Sequence, residues 1–279
     1  MEYLITAILI VFILIFFYYE NNILHINKLK VKLNVENPFK IIHLSDIHSK
    51  EFGVDNKKLI KKMKKLKPDL IVITGDLINT DGKNIEKMIT LLKKLDSIAK
   101  VYYILGNHEH RLKGLNEIIN KLKDLKISVL INEIDSIVIK GNKINILGLD
   151  ENQASRDDYK KRKKGIYEYK DYSNLFNKLE LEDGIKIVLS HYPENFSLIG
   201  EMSYKNYDFD LMLSGHAHGG QFRFPFIGGL YAPGQGILPK YTGGLYKEKN
   251  TLIVSRGLGP SRFPLRLFNR PEIVSIDIR

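Results

Sequence analysis

The chain has 279 residues, of which 44% are hydrophobic, 27% charged and 10% aromatic, with no cysteine and no tryptophan. That length and apolar content exclude a disordered chain, and the missing cysteine excludes disulfides, thiolate nucleophiles and sulfur-ligated zinc, so any metal must be held by nitrogen and oxygen. The 43 Lys and Arg against 32 Asp and Glu leave a formal charge of +11, which admits nucleic acid or an anionic membrane as a partner without selecting either.

The first element is a run of 17 uncharged residues, Tyr3–Tyr19, with tyrosines at both ends and no polar face. As a helix it would span about 26 Å, near the ~30 Å of a bilayer's hydrocarbon core, with aromatic residues at the interfaces. It reads as a single-pass anchor over residues 1–20. A cleaved signal peptide fits poorly, because no basic region precedes the run and no small-x-small site follows it. Lys28, Lys30 and Lys32 follow the segment, so the positive-inside rule leans toward a cytoplasmic catalytic domain in the cell membrane. Residues 21–37 read as a tether with an edge strand, His25 as an interfacial residue, and 38–279 as one domain.

Lys57–Lys67 (KKLIKKMKKLK) places Leu59, Ile60, Met63 and Leu66 at helical spacing, which reads as an amphipathic helix with a solvated lysine face. A second basic cluster, residues 160–164, lies in a polar stretch without apolar periodicity. Neither carries the interleaved aromatics of a base-stacking platform, so nucleic acid is disfavoured as a partner.

Beyond Pro38, buried strands are expected at Ile41–Ser45, Leu70–Thr74, Val101–Leu105, Ile144–Leu149, Ile185–Ser190 and Phe209–Ser214. Helical segments fall near Asn56–Lys67 and Asn84–Lys100, giving a βαβαβ start and an α/β class that reads as a doubly wound sheet. After Gly219 short strands with Gly and Pro turns close the domain. The polar run Glu151–Tyr172 reads either as a lid or as a flexible insertion.

The chemistry lies just after the strands. Asp46 and His48 follow the first, Gly75-Asp76 the second, Gly106-Asn107-His108-Glu109 the third, His191 the fifth, and Gly215-His216-Ala217-His218 the sixth. Ligand sites of parallel α/β sheets form outside the strands' carboxyl ends, so five loops would deliver Asp, His and Asn to one rim. These donors suit Mn, Fe, Zn or Mg, and they are too many for one tetrahedral ion but enough for two. A bridging carboxylate is then needed, and Asp76 is the candidate. Two divalent ions against Asp46, Asp76 and a bridging hydroxide leave about +1, a centre that attracts an anionic phosphate.

The ordered pattern D-x-H, G-D, G-N-H-[DE], H, G-H-x-H over Asp46–His218 resembles the calcineurin-like metallophosphoesterases. LSGHAHGGQFRFP (Leu213–Pro225) and the tail VSRGLGPSRFPLRLFNRPEI (Val254–Ile273) are similar to a bacterial membrane-anchored branch. That branch includes YkuE- and YaeI-type phosphodiesterases and UDP-diacylglucosamine pyrophosphatases. The resemblance implies a four-layer αββα sandwich preceded by the transmembrane helix. It implies one ion on Asp46, His48, Asp76 and His218 and a second on Asp76, Asn107, His191 and His216. His108 would contact the phosphoryl oxygen and protonate the leaving group, with Glu109 orienting it. Ala217 stands where the branch commonly has Thr. The implied activity is hydrolysis of phosphodiester or pyrophosphate bonds by in-line attack of a metal-bridging hydroxide, on a substrate that a membrane anchor would suit being lipid-linked. Alternatives are a nuclease or cyclic-nucleotide phosphodiesterase on the same centre, or a tethered binding module with structural metals.

Other residues carry weaker signals. His43, inside an apolar strand, reads as a core histidine. His110 and Arg111 are candidate substrate contacts, and Asp150 lies on the same rim. Phe222, Phe224, Pro225 and Phe226 serve either for packing or as a wall for an acyl chain, with Phe222 the candidate substrate contact.

Overall fold

Leu70–Thr74 is apolar almost without a break because both faces of that strand are covered: Leu70 and Val72 pack into one core, Ile71 and Ile73 into another. The computed structural model describes residues 1–151, 170–198, 202–261 and 263–279. In chain order the elements begin with α1 (Glu2–Asn22), β1 (His25–Val31), β2 (Phe39–Leu44), α2 (Lys57–Leu66), β3 (Leu70–Thr74), α3 (Ile85–Asp96), β4 (Val101–Ile104) and α4 (Leu115–Asp124). They continue with β5 (Ser128–Val129), β6 (Glu133–Ile139), β7 (Asn142–Gly148), α5 (Ser173–Glu180), β8 (Ile185–Leu189) and β9 (Leu211–Ser214). Two short ribbons follow, β10 (Arg223–Phe224) with β11 (Gly228–Gly229) and β12 (Tyr231–Ala232) with β13 (Gly236–Ile237). The chain closes with β14 (Gly244–Lys247), β15 (Thr251–Val254) and β16 (Glu272–Ile278).

Two six-stranded sheets face each other. One has the order β1-β16-β2-β3-β4-β5 and the other β14-β15-β9-β8-β7-β6. Their inner faces meet through Ile41, Val72, Tyr102 and Ile104 on one side and Ile146, Ile187, Leu211 and Ile253 on the other. Helices α2, α3 and α4 cover the outer face of the first sheet, and α5 packs through Phe176 and Leu179 on the outer face of the second. This is the four-layer αββα arrangement. The six strands of the sequence pattern are divided three and three between the sheets rather than wound into one. In α2, Leu59 and Met63 are buried and most of the lysines are exposed, as the spacing requires. The basic cluster at 160–164 and most of the 151–172 run lie outside the described residues.

Helix α1 is long and apolar enough to cross a membrane, and of its residues only Glu20 is fully buried. Its last turn is fixed to the body. Glu20 Oε2 accepts from the Asn269 amide at 3.0 Å, and Asn21 Oδ1 from the Arg266 amide at 2.7 Å. Two residues later the chain enters β1, which pairs in parallel with β16 at the edge of the first sheet. His25, expected at a membrane interface, therefore belongs to the sheet, and its Nδ1 lies 2.9 Å from Arg256 Nη2.

Candidate metal centre

The two sheets are oriented so that the carboxyl ends of β2, β3 and β4 meet those of β7, β8 and β9. Backbone bonds lace the loops together: Asp46 N–H donates to Gly75 O at 3.0 Å, His48 N–H to Asp76 O at 2.9 Å, and Gly215 N–H to His191 O at 3.2 Å. Asp46, His48, Asp76, His216 and His218 all have positive φ, between 47° and 62°. Non-glycine residues there cost roughly 1–3 kcal/mol each, strain that functional sites retain to aim side chains. Gly106 and Gly215 permit the closest approaches, since a Cβ on Gly106 would overlap the Asp76 carboxylate and one on Gly215 the side chains of Ser45 and Asp46.

The result is two overlapping groups of buried donors, Asp46, His48, Asp76 and His218, and Asp76, His191 and His216, with each group's ligand atoms within 4.8 Å of one another. Asp76 is common to both, and its Oδ2 lies 3.6 Å from His48 Nε2 and 3.5 Å from His191 Nε2. His48 Nε2 and His218 Nε2 are 3.1 Å apart, and His218 Nε2 is 3.4 Å from Asp46 Oδ1. In the second group His216 Nδ1 approaches His191 Nε2 at 3.2 Å, and Asn107 Oδ1 lies 3.1 Å from the same nitrogen. His191 is aimed by its Nδ1, which donates to Thr74 O at 2.7 Å. Carboxylate and amide oxygens mixed with imidazole nitrogens suit divalent Mn, Fe or Zn, and the donors fit a pair of such ions sharing Asp76.

The electrostatics agree with that fit. Burial pushes Asp46 up to about 7. At Asp76 the effect of burial is outweighed by the surrounding imidazoles, His191 foremost, and its carboxyl lies well below the usual range. Burial alone would lower His191, but the Asp76 and Asp46 carboxylates raise it to about 10. Burial lowers His48, to about 3, and His218, so both rings offer neutral nitrogens. The metal-free cluster thus holds protons that a divalent cation would displace.

His108 stands at the edge of the cluster, its Nε2 4.0 Å from Asp76 Oδ2 and its side chain 27% exposed. Glu109, which the resemblance implies would orient it, does not contact its ring. Glu109 turns away in a short 3-10 turn and accepts backbone N–H groups of Asp76 at 2.8 Å, Ile78 at 2.7 Å and Gly106 at 2.8 Å. The His108 ring is held instead by Asn79 Oδ1 at 2.9 Å and Thr80 Oγ1 at 2.8 Å from Nδ1.

Two further corrections concern the weaker candidates. The His110 side chain is nearly buried and lies 2.7 Å from Asp150 Oδ1, joining the loops after β4 and β7 rather than facing the cleft. Phe222 packs edge-on against Phe263 at 5.5 Å; it is Phe263 that lines the cleft. Arg111 is exposed beside His108. His43 is fully buried with Nε2 2.7 Å from Thr74 Oγ1, a core histidine.

Two buried charges were missed. Glu151 accepts from His191 N–H at 2.7 Å, Ser190 Oγ at 2.9 Å, Asn195 Nδ2 at 2.7 Å and Tyr204 OH at 2.9 Å. Its sequence position, at the start of a polar run but immediately after a strand, was the available signal. Arg266, 2% exposed, donates to the carbonyls of Arg256 at 2.9 Å and Gly259 at 3.1 Å. The stretch it bonds in turn braces the Asp46 loop, because Gly259 N–H donates to Asp46 O at 2.6 Å.

A cleft of about 370 Å³ opens from the cluster, lined by His218, Gln221, Tyr231, Pro233, Ser261 and Phe263. One wall is a metal-ligand candidate and the others are largely apolar.

Comparison with known proteins agrees with this geometry. Residues 39–220 match the family model described as calcineurin-like phosphoesterase. The chain is 32% identical over 247 residues to metallophosphoesterase YkuE of Bacillus subtilis, covering 86% of this chain and 79% of that one. It is 35% identical to metallophosphoesterase Cj0846 of Campylobacter jejuni, covering 88% of this chain and 60% of the relative. With phosphodiesterase YaeI of Escherichia coli the identity is 28%, covering 86% and 82%.

Proposed function

This chain belongs to the calcineurin-like phosphoesterases and is a metal-dependent phosphoester hydrolase using two divalent ions, and we propose that it cleaves phosphodiester or pyrophosphate bonds of a lipid-linked substrate while anchored in a membrane by α1. The observation that carries the site assignment is the sharing of Asp76 by two buried donor groups. One ion would take Asp46, His48, Asp76 and His218, the other Asp76, Asn107, His191 and His216. Bound there, the ions supply charge neutralisation for the phosphoryl group and an activated water at neutral pH.

The chain's own residues do the rest. The positive-φ turns pre-aim the ligands, so little reorganisation is left for the reaction. His108 Nδ1 lies near Asn79 Oδ1, an acceptor, and near the Thr80 N–H, a donor at 3.3 Å. Either tautomer is therefore held in one orientation, and the ring can deliver a proton from Nε2 to the departing oxygen. The apolar cleft beside His218 gives a non-reacting substituent a dry place to lie. The diester preference is supported by the name phosphodiesterase carried by the YaeI relative. The lipid-linked substrate is supported by the apolar helix and the apolar cleft.

The test uses the full chain in detergent with Mn²⁺, assayed on bis-p-nitrophenyl phosphate and p-nitrophenyl phosphate beside Asp76→Asn. Faster diester cleavage, lost in the variant, is expected. Monoester preference would move the reading to a phosphatase. Turnover of soluble diesters but of no membrane lipid extract would remove the lipid-linked part.

A further inference from the structure

Outside α1 and Met1, thirteen large apolar side chains are exposed among the described residues, and nine of them lie in three neighbouring segments. They are Phe224, Phe226 and Ile227 at the tip of the first ribbon; Tyr231, Ile237 and Leu238 on the second; and Phe263, Leu265 and Phe268 of the tail loop. The other four, Val54, Val138, Leu181 and Met202, are scattered along the chain. A soluble surface does not concentrate such residues without a use for them.

We propose that these three segments form a bilayer-seating surface, entering the headgroup and upper acyl region around α1, so that the cleft over the metal centre opens at the lipid surface. The proposal rests on the membrane-anchored reading given above, and it adds a second, monotopic contact to that single helix. Continuity with α1 selects lipid as the occupant. The Phe268 ring packs on Phe16 at 5.8 Å, and Phe224 on Phe268 at 6.3 Å. Phe16 lies four residues inside the apolar run from Glu20, about 6 Å along the helix axis. A helix inserted to its interfacial tyrosines, Tyr18 and Tyr19, holds Phe16 two to three residues inside them and so brings Phe268, and Phe224 beside it, to the boundary of headgroups and acyl chains. The attachment is firm, because Glu20 and Asn21 bond the Asn269 and Arg266 amides and Arg270 donates to the Tyr19 hydroxyl at 2.7 Å. Arg270 also stacks over the Tyr19 ring at 5.1 Å, a pairing suited to the interface.

The cleft connects this surface to the chemistry. Tyr231 and Phe263 belong to both the exposed patch and the cleft, and His218 belongs to both the cleft and the ligand cluster. An amphiphilic phosphodiester could then present its phosphate to the ions while its acyl chains stay in the bilayer.

Since the chain has no cysteine, single-cysteine variants of the full-length protein carry one fluorophore each. Phe226→Cys and Ile237→Cys test the surface, where the parent side chains are 109% and 82% exposed. Ile13→Cys reports insertion of α1, and Leu181→Cys is the aqueous control. Each labelled protein is reconstituted in phosphatidylcholine and phosphatidylglycerol vesicles, with either acyl-chain doxyl lipid or aqueous iodide as quencher. The proposal expects labels at 13, 226 and 237 to be quenched by doxyl lipid and to be several-fold less sensitive to iodide than the label at 181. Lipid quenching at 13 with iodide quenching at 226 and 237 would overturn the seating surface and leave the anchor intact. Failure of lipid quenching at 13 would overturn the anchor and the surface together. Protection of 226 and 237 from both quenchers would mean that protein, a second copy or a partner, covers the patch, which also overturns the proposal.

Discussion

Glu151 does for His191 what Glu109 does for Asp76. Each is a buried carboxylate, one standing after β7 of the second sheet and the other after β4 of the first, and each accepts the backbone N–H of a ligand on the neighbouring loop at 2.7–2.8 Å. The two halves of the metal cluster are thus each pinned to their own sheet by an anion that is not itself a ligand candidate. Burial raises both carboxyls, Glu109 to about 7, and the donors around them act against that rise, backbone amides at Glu109 and the Asn195 amide with the Tyr204 and Ser190 hydroxyls at Glu151.

Replacing either glutamate by glutamine puts an NH2 group among donors and leaves one of them unmatched. Glu151→Gln and Glu109→Gln are each expected to cost about 1.5–3 kcal/mol, the range for a buried hydrogen bond to a charged group. Thermal unfolding of metal-free protein measures this directly. A loss seen only in metal-loaded protein would mean that these carboxylates act on the metals and not on the loops.

The positioning of His108 predicts a different signature. Asn79→Ala should reduce kcat with metal content unchanged, and His108→Gln should reduce it by about 10²–10⁴, the range of a general acid. The defect should grow as the leaving group becomes more basic, because p-nitrophenolate departs without a proton while an alkoxide does not. Rates on a series of aryl and alkyl diesters, with metal content measured in parallel, check this. A defect independent of leaving group would assign His108 to substrate binding alone.

The ligand loops were legible because each follows an apolar strand buried on both faces, a pattern that marks a strand's carboxyl end in the sequence itself. The division into two sheets was not. Ile41 and Ile144 are equally buried and face the same core from opposite sheets, and the break falls between β5 and β6, consecutive strands that do not pair. The orienting role that the resemblance implies for Glu109 does not hold, because one turn of 3-10 helix carries its carboxylate to the amides of Asp76, Ile78 and Gly106, away from His108. Glu151 and Arg266 are buried charges whose partners reach 53 and 48 residues away, so although the place of Glu151 after a strand hints at enclosure, neither the polar run nor the basic tail names the groups that enclose them. The docking of Glu20 and Asn21 on the tail loop was likewise invisible, since its partners lie 245 and 249 residues distant.

His43 gives the fold an acid sensitivity separate from the metal ligands. Burial lowers its pKa from 6.5 to about 3. Below pH 6.5 the unfolded chain takes up a proton that the folded chain refuses. Its contribution to stability is therefore full above pH 6.5 and falls by about 1.4 kcal/mol per pH unit from there toward pH 3. His43→Gln, which can still reach Thr74 Oγ1, removes this term. The difference in unfolding free energy between parent and variant, measured from pH 7.5 to 5, should shift in the variant's favour as pH falls. A difference that does not change with pH would mean that His43 is protonated in the folded state.

Metal loading should itself release protons. In the metal-free cluster His191, raised to about 10 by the Asp76 and Asp46 carboxylates, carries a proton at pH 7, and burial raises the Asp46 carboxyl. Both must be deprotonated to ligate, so binding expels at least one proton near neutral pH, and affinity should rise about tenfold per pH unit for each proton released. Calorimetric titration of the metal-free chain with Mn²⁺, in buffers of different ionisation enthalpy, counts those protons. His191→Gln removes the ligand whose proton is held most firmly, so the variant should release fewer protons per ion while binding more weakly. Asp76→Asn should behave differently, because it removes the group shared by both donor sets. It should abolish the second binding event, not merely weaken it. Two ions bound by Asp76→Asn with parent-like stoichiometry would remove Asp76 as the bridge and require the ions to occupy separate sites.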